Sequence, residues 1–374
     1  MTLRIGPHTL AAPVVLAPMA GITDAPFRLV CAEHGGGLYV SEMITARGLV
    51  EGNAKTARMI RHHPSEAVRS IQLYGSDPAV MGEAVTRLVG SARVDHIDLN
   101  FGCPVPKITR NGGGAALPVE RRLLAAVVRA AVRAAGAVPV TVKMRMGLDD
   151  ERLTYLDAGR SAADEGAAAV ALHARTAVQG YAGSARWAAI ARLKEALPDV
   201  AVLGNGDIWA ASDALAMVAA TGCDGVVIGR GCLGRPWLFA DLARAFSGGS
   251  PAGPPRLGAV AVMAGRHLDL ALEWDEAEGE AVVVRRFRKH LRWYLQGYPT
   301  GPEVHRRAGM VQTAADVRAV LDSLDPDLEV VAGAVRAPRG RSGPIGRLVL
   351  PEGWCADPDA LPVVSEPAVA LSGG

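Results

Sequence analysis

The chain has 374 residues, of which 49% are hydrophobic and 21% charged, and its formal net charge is +2. This length can bury a large core, and the near-neutral charge excludes a general attraction to polyanions, so any basic surface must be local. There is no apolar run of membrane-spanning length and no apolar leader, which predicts a cytoplasmic protein without a membrane anchor.

Five cysteines occur without CxxC spacing, which argues against a disulfide framework and against a structural zinc site. They are Cys31, Cys103, Cys223, Cys232 and Cys355. The histidines are scattered, and the adjacent His62 and His63 cannot share one face of a helix. We therefore predict that the protein holds no metal.

Short apolar runs alternate along the chain with longer Ala-, Leu- and Arg-rich runs of helical periodicity. The predicted strands are residues 13–17, 38–41, 70–73, 96–99, 139–144, 169–173, 201–204 and 225–228. Predicted helices between them include residues 77–88, 119–134, 157–165, 187–196 and 211–219. Eight strands alternating with helices favour an α/β fold of the (β/α)8 TIM-barrel type. A doubly wound sheet is the main alternative, but it does not explain why every strand ends in a polar or glycine cluster.

The composition and periodicity of the sequence change beyond the last predicted strand. We assign residues 1–246 to the barrel and the Gly-, Ser- and Pro-rich residues 247–256 to a linker. Residues 257–326 have apolar helical periodicity and predict a smaller all-helical C-terminal domain. The tail, residues 327–374, is rich in Pro, Gly and Ala without a sustained period, and is either disordered or an extended strap.

The loop after the fourth strand is the strongest chemical signal. Its sequence is NFGCPVPK, residues 100–107, in which two prolines fix the backbone around Cys103. In a barrel the carboxyl ends of all strands meet on the face that carries active sites. The alternative is a small buried cysteine that closes a turn.

Lys143 and Arg145 alternate out of the fifth strand toward the same face. Burying a lysine inside a barrel is costly unless it meets a negative group, such as a reduced flavin. The alternative is a lysine at the strand end that extends its ammonium into solvent. Gln72, at the end of strand three, and His173, at the end of strand six, are weak signals alone, because each can be a purely structural hydrogen-bonding residue.

Glycine-rich turns follow strands seven and eight, which is the usual phosphate site of this barrel. They are NGD, residues 205–207, and GRG, residues 229–231. Backbone N–H groups there can hold an anion, and Arg230 can add a charged contact. Residues 229–234 also fit GxGxxG, but the linker follows where a dinucleotide-binding unit needs a second strand ending in an acid. A single phosphate fits better.

One basic cluster stands out in the helical region, around residues 285–294, where aromatic side chains interleave with Arg286, Lys289 and Arg292. Such a run is usually a solvated helix face. Its aromatic residues and its place beside an enzyme domain also suit nucleic acid, because phosphates attract cations and bases stack on rings.

Three separate motifs in the right order resemble one family. The segments LAPMAGITD (16–24), NFGCP (100–104) and GRG (229–231) are similar to those of the tRNA-dihydrouridine synthases, and within them to the bacterial B type. These flavoenzymes reduce uridine in tRNA. A weaker match extends to about residue 325. The resemblance implies FMN as cofactor, NADPH or NADH as reductant and tRNA as partner, and we expect a monomer.

The resemblance also implies roles for individual residues. Cys103 would be the general acid that protonates the base. The implied flavin-binding residues are Pro18, Met19, Ala20, Gln72, Lys143, His173, Asn205, Gly206, Asp207, Gly229 and Arg230. The implied substrate-binding residues are Asn100, Arg145, Arg175, Tyr181, Arg286, Lys289 and Arg292.

Two other functions stay open on the sequence. One is an FMN barrel that acts on a free pyrimidine, like a dihydroorotate dehydrogenase, although a small substrate needs no extra helical domain. The other is a non-catalytic RNA-binding protein, which the convergence of Gln72, Cys103, Lys143 and His173 opposes. No motif reports which tRNA position is modified or whether NADPH is preferred to NADH.

Overall fold

The computed structural model describes residues 2–92 and 94–359. Eight parallel strands close into a barrel in the order β10-β3-β4-β5-β6-β7-β8-β9, so the predicted (β/α)8 fold is confirmed. The barrel strands are β3 (Val14–Leu16), β4 (Leu38–Thr45), β5 (Ser70–Tyr74), β6 (His96–Phe101), β7 (Val140–Arg145), β8 (Ala169–His173), β9 (Ala201–Asn205) and β10 (Gly225–Ile228). The main difference from the expected limits is β4, which runs four residues further because a bulge between Val40 and Met43 lets pairing with β5 continue.

Helices surround the barrel and cover the outward side chains of its strands. They are α1 (Ala25–Ala32), α2 (Ala46–Val50), α3 (Ala54–Met59), α4 (Pro78–Arg87), α5 (Pro106–Thr109), α6 (Arg121–Ala135), α7 (Tyr155–Asp164), α8 (Trp187–Ala196), α9 (Ala211–Thr221) and α10 (Leu238–Phe246). A π-helical turn, Leu88–Ala92, extends α4, and 3₁₀ turns occur at Gly114–Val119 and Arg230–Cys232.

Strand alternation separates an apolar outer layer from a polar interior. On β6, Ile97, Leu99 and Phe101 join the core between barrel and helices. The intervening His96 and Asp98 are buried inside the barrel. Because successive side chains point to opposite faces of a strand, this alternation fixes which residues line the barrel interior.

An N-terminal hairpin closes the end of the barrel opposite the polar strand ends. Its strands are β1 (Leu3–Ile5) and β2 (His8–Leu10), paired antiparallel. Leu3, Ile5 and Leu10 are buried against interior residues near the strand starts, such as Ala169. Three-residue strands give too few positions for alternation to be detected, so the sequence did not predict this hairpin.

Four helices with a core of their own follow residues 247–256. They are α11 (Leu257–Trp274), α12 (Glu280–Leu295), α13 (Gly301–Met310) and α14 (Ala314–Asp322). This helical bundle meets the barrel at Phe27 of α1, whose ring lies 5.7 Å from His267 and 5.6 Å from His290. Within the described ranges, no helix has both the length and the hydropathy needed to cross a bilayer.

The tail forms an extended segment that lies along the barrel. We call residues 329–359 the strap. Starting from the helical bundle, it passes the loops after β10 and β8, and Trp354 is buried on the loop after β6, where its indole N–H donates to the carbonyl of Ala116 at 2.9 Å. The sequence left open whether the tail is disordered or an extended strap. Up to residue 359 it is extended, and residues 360–374 lie outside the described part.

Candidate active site

A cavity of about 560 Å³ opens at the carboxyl end of the barrel. Most of the residues expected from the sequence line it. They are Pro18, Met19, Ala20, Gln72, Asn100, Cys103, Lys143, Arg145, His173, Arg175, Tyr181, Asn205, Gly206, Asp207, Gly229, Arg230 and Lys289. Its size is typical of a site for a cofactor or a drug-sized ligand.

Cys103 is held by hydrogen bonds to its backbone on both sides. The side-chain oxygen of Asn100 accepts from the N–H groups of Gly102 and Cys103 at 3.0 and 2.9 Å. The Cys103 carbonyl accepts from Ala115, and a Cβ on Gly114 would lie 2.4 Å from that carbonyl oxygen. The loop can therefore close in this form only with glycine at position 114, which also has a φ of +56°.

The environment of Cys103 favours the protonated thiol. Its side chain is half-buried. Burial raises the pKa of the thiol above its ordinary value, although the charges of Arg145, Arg341 and Lys143 oppose the shift. At neutral pH the sulfur carries a proton that it can donate, as a general acid must.

Asp98, on β6 beneath the cavity, ties several predicted residues together. Its carboxylate accepts from Gln72 Nε2 and from the Thr141 hydroxyl, each at 2.6 Å. Gln72 in turn accepts from Asn100 Nδ2 at 2.9 Å. Burial raises the pKa of Asp98 to about 6. The orientation of the Gln72 amide and the position of Asn100 are thus fixed from below.

The same chain of hydrogen bonds continues to His96 and fixes its tautomer. The Thr141 hydroxyl donates to Asp98, so its oxygen must accept the 3.0 Å bond from His96 Nε2. His96 Nδ1 then accepts from the Ser70 hydroxyl at 2.7 Å. Burial lowers the pKa of His96 to about 3, which keeps the ring neutral.

Lys143 points into the cavity from β7. Its ammonium donates to the Asn205 side-chain oxygen at 3.0 Å, and Asn205 is fixed by donating to the Val227 carbonyl at 2.7 Å. Burial lowers the pKa of Lys143 to about 8. The hydrogen-bond acceptor is neutral, so the cavity suits an anionic ligand that would hold the proton on this amine.

His173 lies at the end of β8, near Tyr181. The two ring centres are 6.0 Å apart. Burial, reinforced by the charges of Arg145 and Lys143, holds the pKa of His173 well below its ordinary value. The ring is therefore neutral and can either donate or accept a hydrogen bond in the cavity.

Arg145 connects two loops around the cavity, the loop after β6 and the loop after β8. Its guanidinium donates to the carbonyl oxygens of Gly102, Thr176 and Gly180 at 3.0, 2.9 and 2.8 Å. These bonds give Arg145 a positioning role that the sequence did not suggest, next to the loop of Cys103. Its contact with substrate stays a prediction.

Arg175 and Asp207 form an ion pair, with Nη2 at 2.6 and 2.8 Å from the two carboxylate oxygens. Arg175 is 1% exposed, and its Nη1 is buried without a hydrogen-bond partner among the residues that the structure describes. This atom is 3.6 Å from where a Cβ on Gly206 would lie, so the unpaired donor sits beside the turn after β9. An unpaired buried charged donor indicates a missing acceptor.

Arg230 forms the opposite wall. Its guanidinium lies over the rings of Tyr181 and Trp209, with its carbon 4.4 and 5.2 Å from their centres. Burial lowers its pKa, and the carboxylate of Asp207 is 4.0 Å away. Gly229 and Gly231 flank it, and a Cβ on Gly231 would lie 2.1 Å from the Ile208 carbonyl oxygen. Glycine is therefore required where these two turns meet.

Pro18, Met19 and Ala20 form the rim after β3. The Met19 carbonyl accepts from Ile22 and Thr23, both at 3.0 Å, so this short segment is a closed turn. Pro18 and Met19 are half-buried and Ala20 is exposed at the cavity edge. The rim therefore offers backbone and a thioether to a flat ligand.

The basic residues of α12 separate in the structure. Lys289 lines both the cavity and a groove of about 550 Å³ between barrel and bundle. Arg286 lines only the groove, where it pairs with Asp275 and Glu278 at 3.3 and 2.9 Å. Arg292 is exposed and lines neither space.

Sequence reasoning missed several residues of this site. Asp98, Thr141 and His96 were visible only as polar positions inside strands. Trp209, Trp293 and Arg341 also line the cavity, and no local pattern marked them.

Among residues 2–92 and 94–359, no cluster of three or more His, Cys, Asp or Glu side chains is arranged to hold a metal ion.

A closed parallel barrel with its polar cavity at the carboxyl mouth defines a (β/α)8-barrel protein whose chemistry lies at that mouth. A family model described as "Dihydrouridine synthase (Dus)" matches residues 15–328, and the chain belongs to this family. The match begins in β3 and ends directly before the strap.

Individual relatives of this chain support the same family assignment. A probable tRNA-dihydrouridine synthase of Mycobacterium tuberculosis (strain ATCC 25618 / H37Rv) is 51% identical over 100% of this chain and 97% of the relative. A tRNA-dihydrouridine synthase B of Xanthomonas axonopodis pv. citri (strain 306) is 37% identical over 88% of this chain and 93% of the relative, which confirms the resemblance to the B type.

A solved structure matches in fold alone. Histamine dehydrogenase from Rhizobium sp. 4-9 superposes with a TM-score of 0.53 at 12% identity. The match covers 87% of this chain and 64% of that enzyme's length.

Proposed function

We propose that this protein reduces uridine in tRNA to 5,6-dihydrouridine, with FMN bound in the cavity, NADPH or NADH as reductant and Cys103 as general acid. The observation that carries the proposal is that a protonated thiol and a buried ammonium, Cys103 and Lys143, face one cavity in a chain of the dihydrouridine synthase family. Work on tRNA is consistent with a cytoplasmic protein.

The residues of the cavity fit FMN. Lys143 is a buried cation whose hydrogen bond goes to a neutral amide, and it suits the negative charge of a reduced flavin ring. The unpaired Nη1 of Arg175, next to Gly206, suits the phosphate, with Arg230 and the Gly229 turn on the other side. Gln72, His173 and the rim residues 18–20 would hold the ring.

FMN held in this cavity would supply the hydride for carbon 6 of the uracil. The chain supplies the other half of the reduction. Cys103 holds a proton at Sγ and donates it to carbon 5 of the base, and the Asn100 amide fixes the backbone of that cysteine. One hydride and one proton add across the double bond, so the step is balanced once Cys103 regains a proton from solvent.

Access to the target base needs help from the rest of the protein. A uridine inside folded tRNA must be extruded, which costs a few kcal/mol that contacts with the tRNA must offset. The helical bundle, residues 257–326, is proposed to recruit the tRNA next to the catalytic barrel, residues 1–246, across the linker 247–256. Exposed Arg292 and Lys289, whose ammonium also donates to the Gly21 carbonyl at the cavity rim, are the side chains proposed to bind phosphate. Arg286 would first have to leave its two carboxylates.

The test follows the visible absorption of the purified protein, or of the protein reconstituted with FMN. NADPH added without oxygen should bleach the flavin bands, and unmodified tRNA should restore them while dihydrouridine forms. Bleaching without a response to tRNA would leave a flavin enzyme with another substrate, such as a free pyrimidine. A protein that never binds FMN would overturn the proposal.

Two cysteine variants separate the acid from the rest of the reaction. Cys103→Ala should still bind FMN and be reduced by NADPH, but dihydrouridine formation should fall about 100-fold or more, since general acid catalysis contributes on that order. Cys355→Ala is the matched control, because that half-buried thiol lies in the strap and does not line the cavity. Unchanged turnover in Cys103→Ala would show that another group is the acid.

A further inference from the structure

The strap, residues 329–359, lies beyond the C-terminal end of the family match. The match ends at residue 328, and the strap begins there and crosses the mouth of the proposed active site. Gly340, Arg341 and Ile345 of the strap line the cavity. They add a wall that the barrel and the bundle do not provide.

Arg339 fixes the strap at the edge of the mouth. It is 2% exposed, and its guanidinium donates to the carbonyl oxygens of Leu233, Trp293 and Gln296 at 3.0, 2.7 and 2.8 Å. Those carbonyls belong to the loop after β10 and to the end of α12. Three charge-assisted bonds at one buried side chain hold the next residues of the strap in a defined place.

The segment after Arg339 is held by hydrogen bonds between its backbone and the two loops that border the cavity. The Arg341 carbonyl accepts from Arg230 Nη1 at 2.7 Å. The Gly343 carbonyl accepts from the Tyr181 N–H, and the Ile345 N–H donates to the Val178 carbonyl, each at 3.2 Å. The backbone of Arg341 is therefore pinned at the mouth.

The side chain of Arg341, in contrast, is uncommitted. It is exposed, lines the cavity, and makes no hydrogen bond or ion pair with any residue in 2–92 or 94–359. Its charge opposes the rise that burial causes in the pKa of the Cys103 thiol, and both side chains line the same cavity. An unpaired guanidinium on a fixed backbone at the mouth of a cavity can bind an anion that arrives from solvent.

We propose that Arg341 binds a backbone phosphate of the tRNA beside the extruded uridine, which makes the strap a substrate-binding wall of the active site. This inference rests on the proposed function. A cofactor phosphate is the less suitable partner, because the unpaired donor of Arg175 and the glycine turns lie inside the cavity, whereas Arg341 is exposed at its rim. The matched relative of Mycobacterium tuberculosis aligns over the whole chain and so includes this segment.

The experiment compares full-length Arg341→Gln with Arg347→Gln. Arg347 is exposed on the same strap but does not line the cavity, so it is the matched control. Affinity for unmodified tRNA is measured by fluorescence anisotropy between 50 and 200 mM KCl. Losing one phosphate contact should weaken binding by about 10-fold and reduce the slope of log affinity against log salt by about 1. FMN content and reduction by NADPH should not change.

Two other outcomes decide against the inference. Equal affinity and slope in the two variants would overturn it. Loss of FMN from Arg341→Gln alone would assign the residue to the cofactor phosphate instead and also overturn it. If the wild-type protein binds tRNA with the expected salt slope but forms no dihydrouridine, the proposed function fails while the binding measurement still decides the role of Arg341.

Discussion

At the scale of single residues, burial sets the protonation of the two central groups. It raises the pKa of the Cys103 thiol and lowers that of Lys143 to about 8, so in each case burial raises the free energy of the charged form. For Cys103 the result is an acid that keeps its proton at neutral pH. For Lys143 the result is a cation that is costly until an anion enters the cavity.

Lys143→Met should therefore stabilise the flavin-free protein while it weakens flavin binding. The folded-state pKa of about 8 lies below the ordinary 10.5, so the buried ammonium costs stability below pH 8, and the cost disappears as pH rises toward 10.5. At pH 7 the variant should gain up to about 3 kcal/mol in the free energy of unfolding, and less at pH 9.5. Denaturant unfolding at both pH values measures this.

Lys107→Met is the control for this substitution, because Lys107 is exposed on α5. It should change neither the free energy of unfolding nor the affinity for FMN by a measurable amount. A flavin-free Lys143→Met protein that is less stable than the wild type at pH 7 would contradict the interpretation of Lys143 as a buried charge whose desolvation cost exceeds the attraction of Asp98.

At the scale of elements, the strap connects the loop of the proposed acid to the rest of the site. The Trp354 ring covers Gly112, where a Cβ would lie 2.3 Å from a ring carbon, and its indole N–H donates to Ala116. Both contacts lie within the loop that follows Cys103. The last part of the strap therefore holds that loop in place from outside.

Trp354→Ala should release the end of the strap without unfolding the barrel, because local segments can open independently of the global core. We expect faster cleavage between residues 346 and 359 by a low concentration of protease, and slower dihydrouridine formation. Trp354→Phe keeps the ring but loses the N–H bond, so its cleavage rate should lie between those of the wild type and Trp354→Ala. Identical cleavage rates in all three proteins would show that Trp354 does not hold the end of the strap in place.

The barrel strands and the polar strand ends could be predicted from sequence because they depend on local patterns. Strands β8 and β10 match their predicted limits, and 17 of the predicted site residues line one cavity. The strap contacts were not predictable, because a non-periodic chain carries no record of the distant carbonyls that Arg339 binds. The pairing of Arg286 with Asp275 and Glu278 shows the same limit, since the sequence showed a basic run but not which acids face it.

At the scale of the whole molecule, the barrel and the helical bundle are joined by an apolar interface that contains two histidines. His267 and His290 are both buried, with ring centres 4.7 Å apart, and His290 Nδ1 has no hydrogen-bond partner in the described part of the chain. Burial lowers the pKa of His267 to about 3 and that of His290 well below its ordinary value. The interface accepts these rings only when they are neutral.

Acid should therefore weaken the molecule at this interface. The unfolded chain binds protons on these histidines below about pH 6.5, whereas the folded chain does not, so stability falls as pH drops below that value. Between pH 7 and 5, His267 alone should lower the free energy of unfolding by about 2 kcal/mol. Denaturant titrations at the two pH values measure the fall.

His290→Leu should reduce this acid sensitivity, because it removes an imidazole whose Nδ1 is unpaired in the folded protein. His305→Gln is the control, since His305 is half-buried in α13 outside this interface. The control should retain the full pH dependence of the wild type. Equal slopes for all three proteins would exclude His290 as a source of this pH dependence.

The N-terminal hairpin has a practical consequence for single-molecule work. It seals the end of the barrel farthest from the cavity, and Thr9 on β2 is exposed there. A tether attached at Thr9 would orient the molecule with its mouth away from a coated surface. Immobilised protein could then be supplied with folded RNA from solution, and individual binding and release events could be timed without the support blocking the approach.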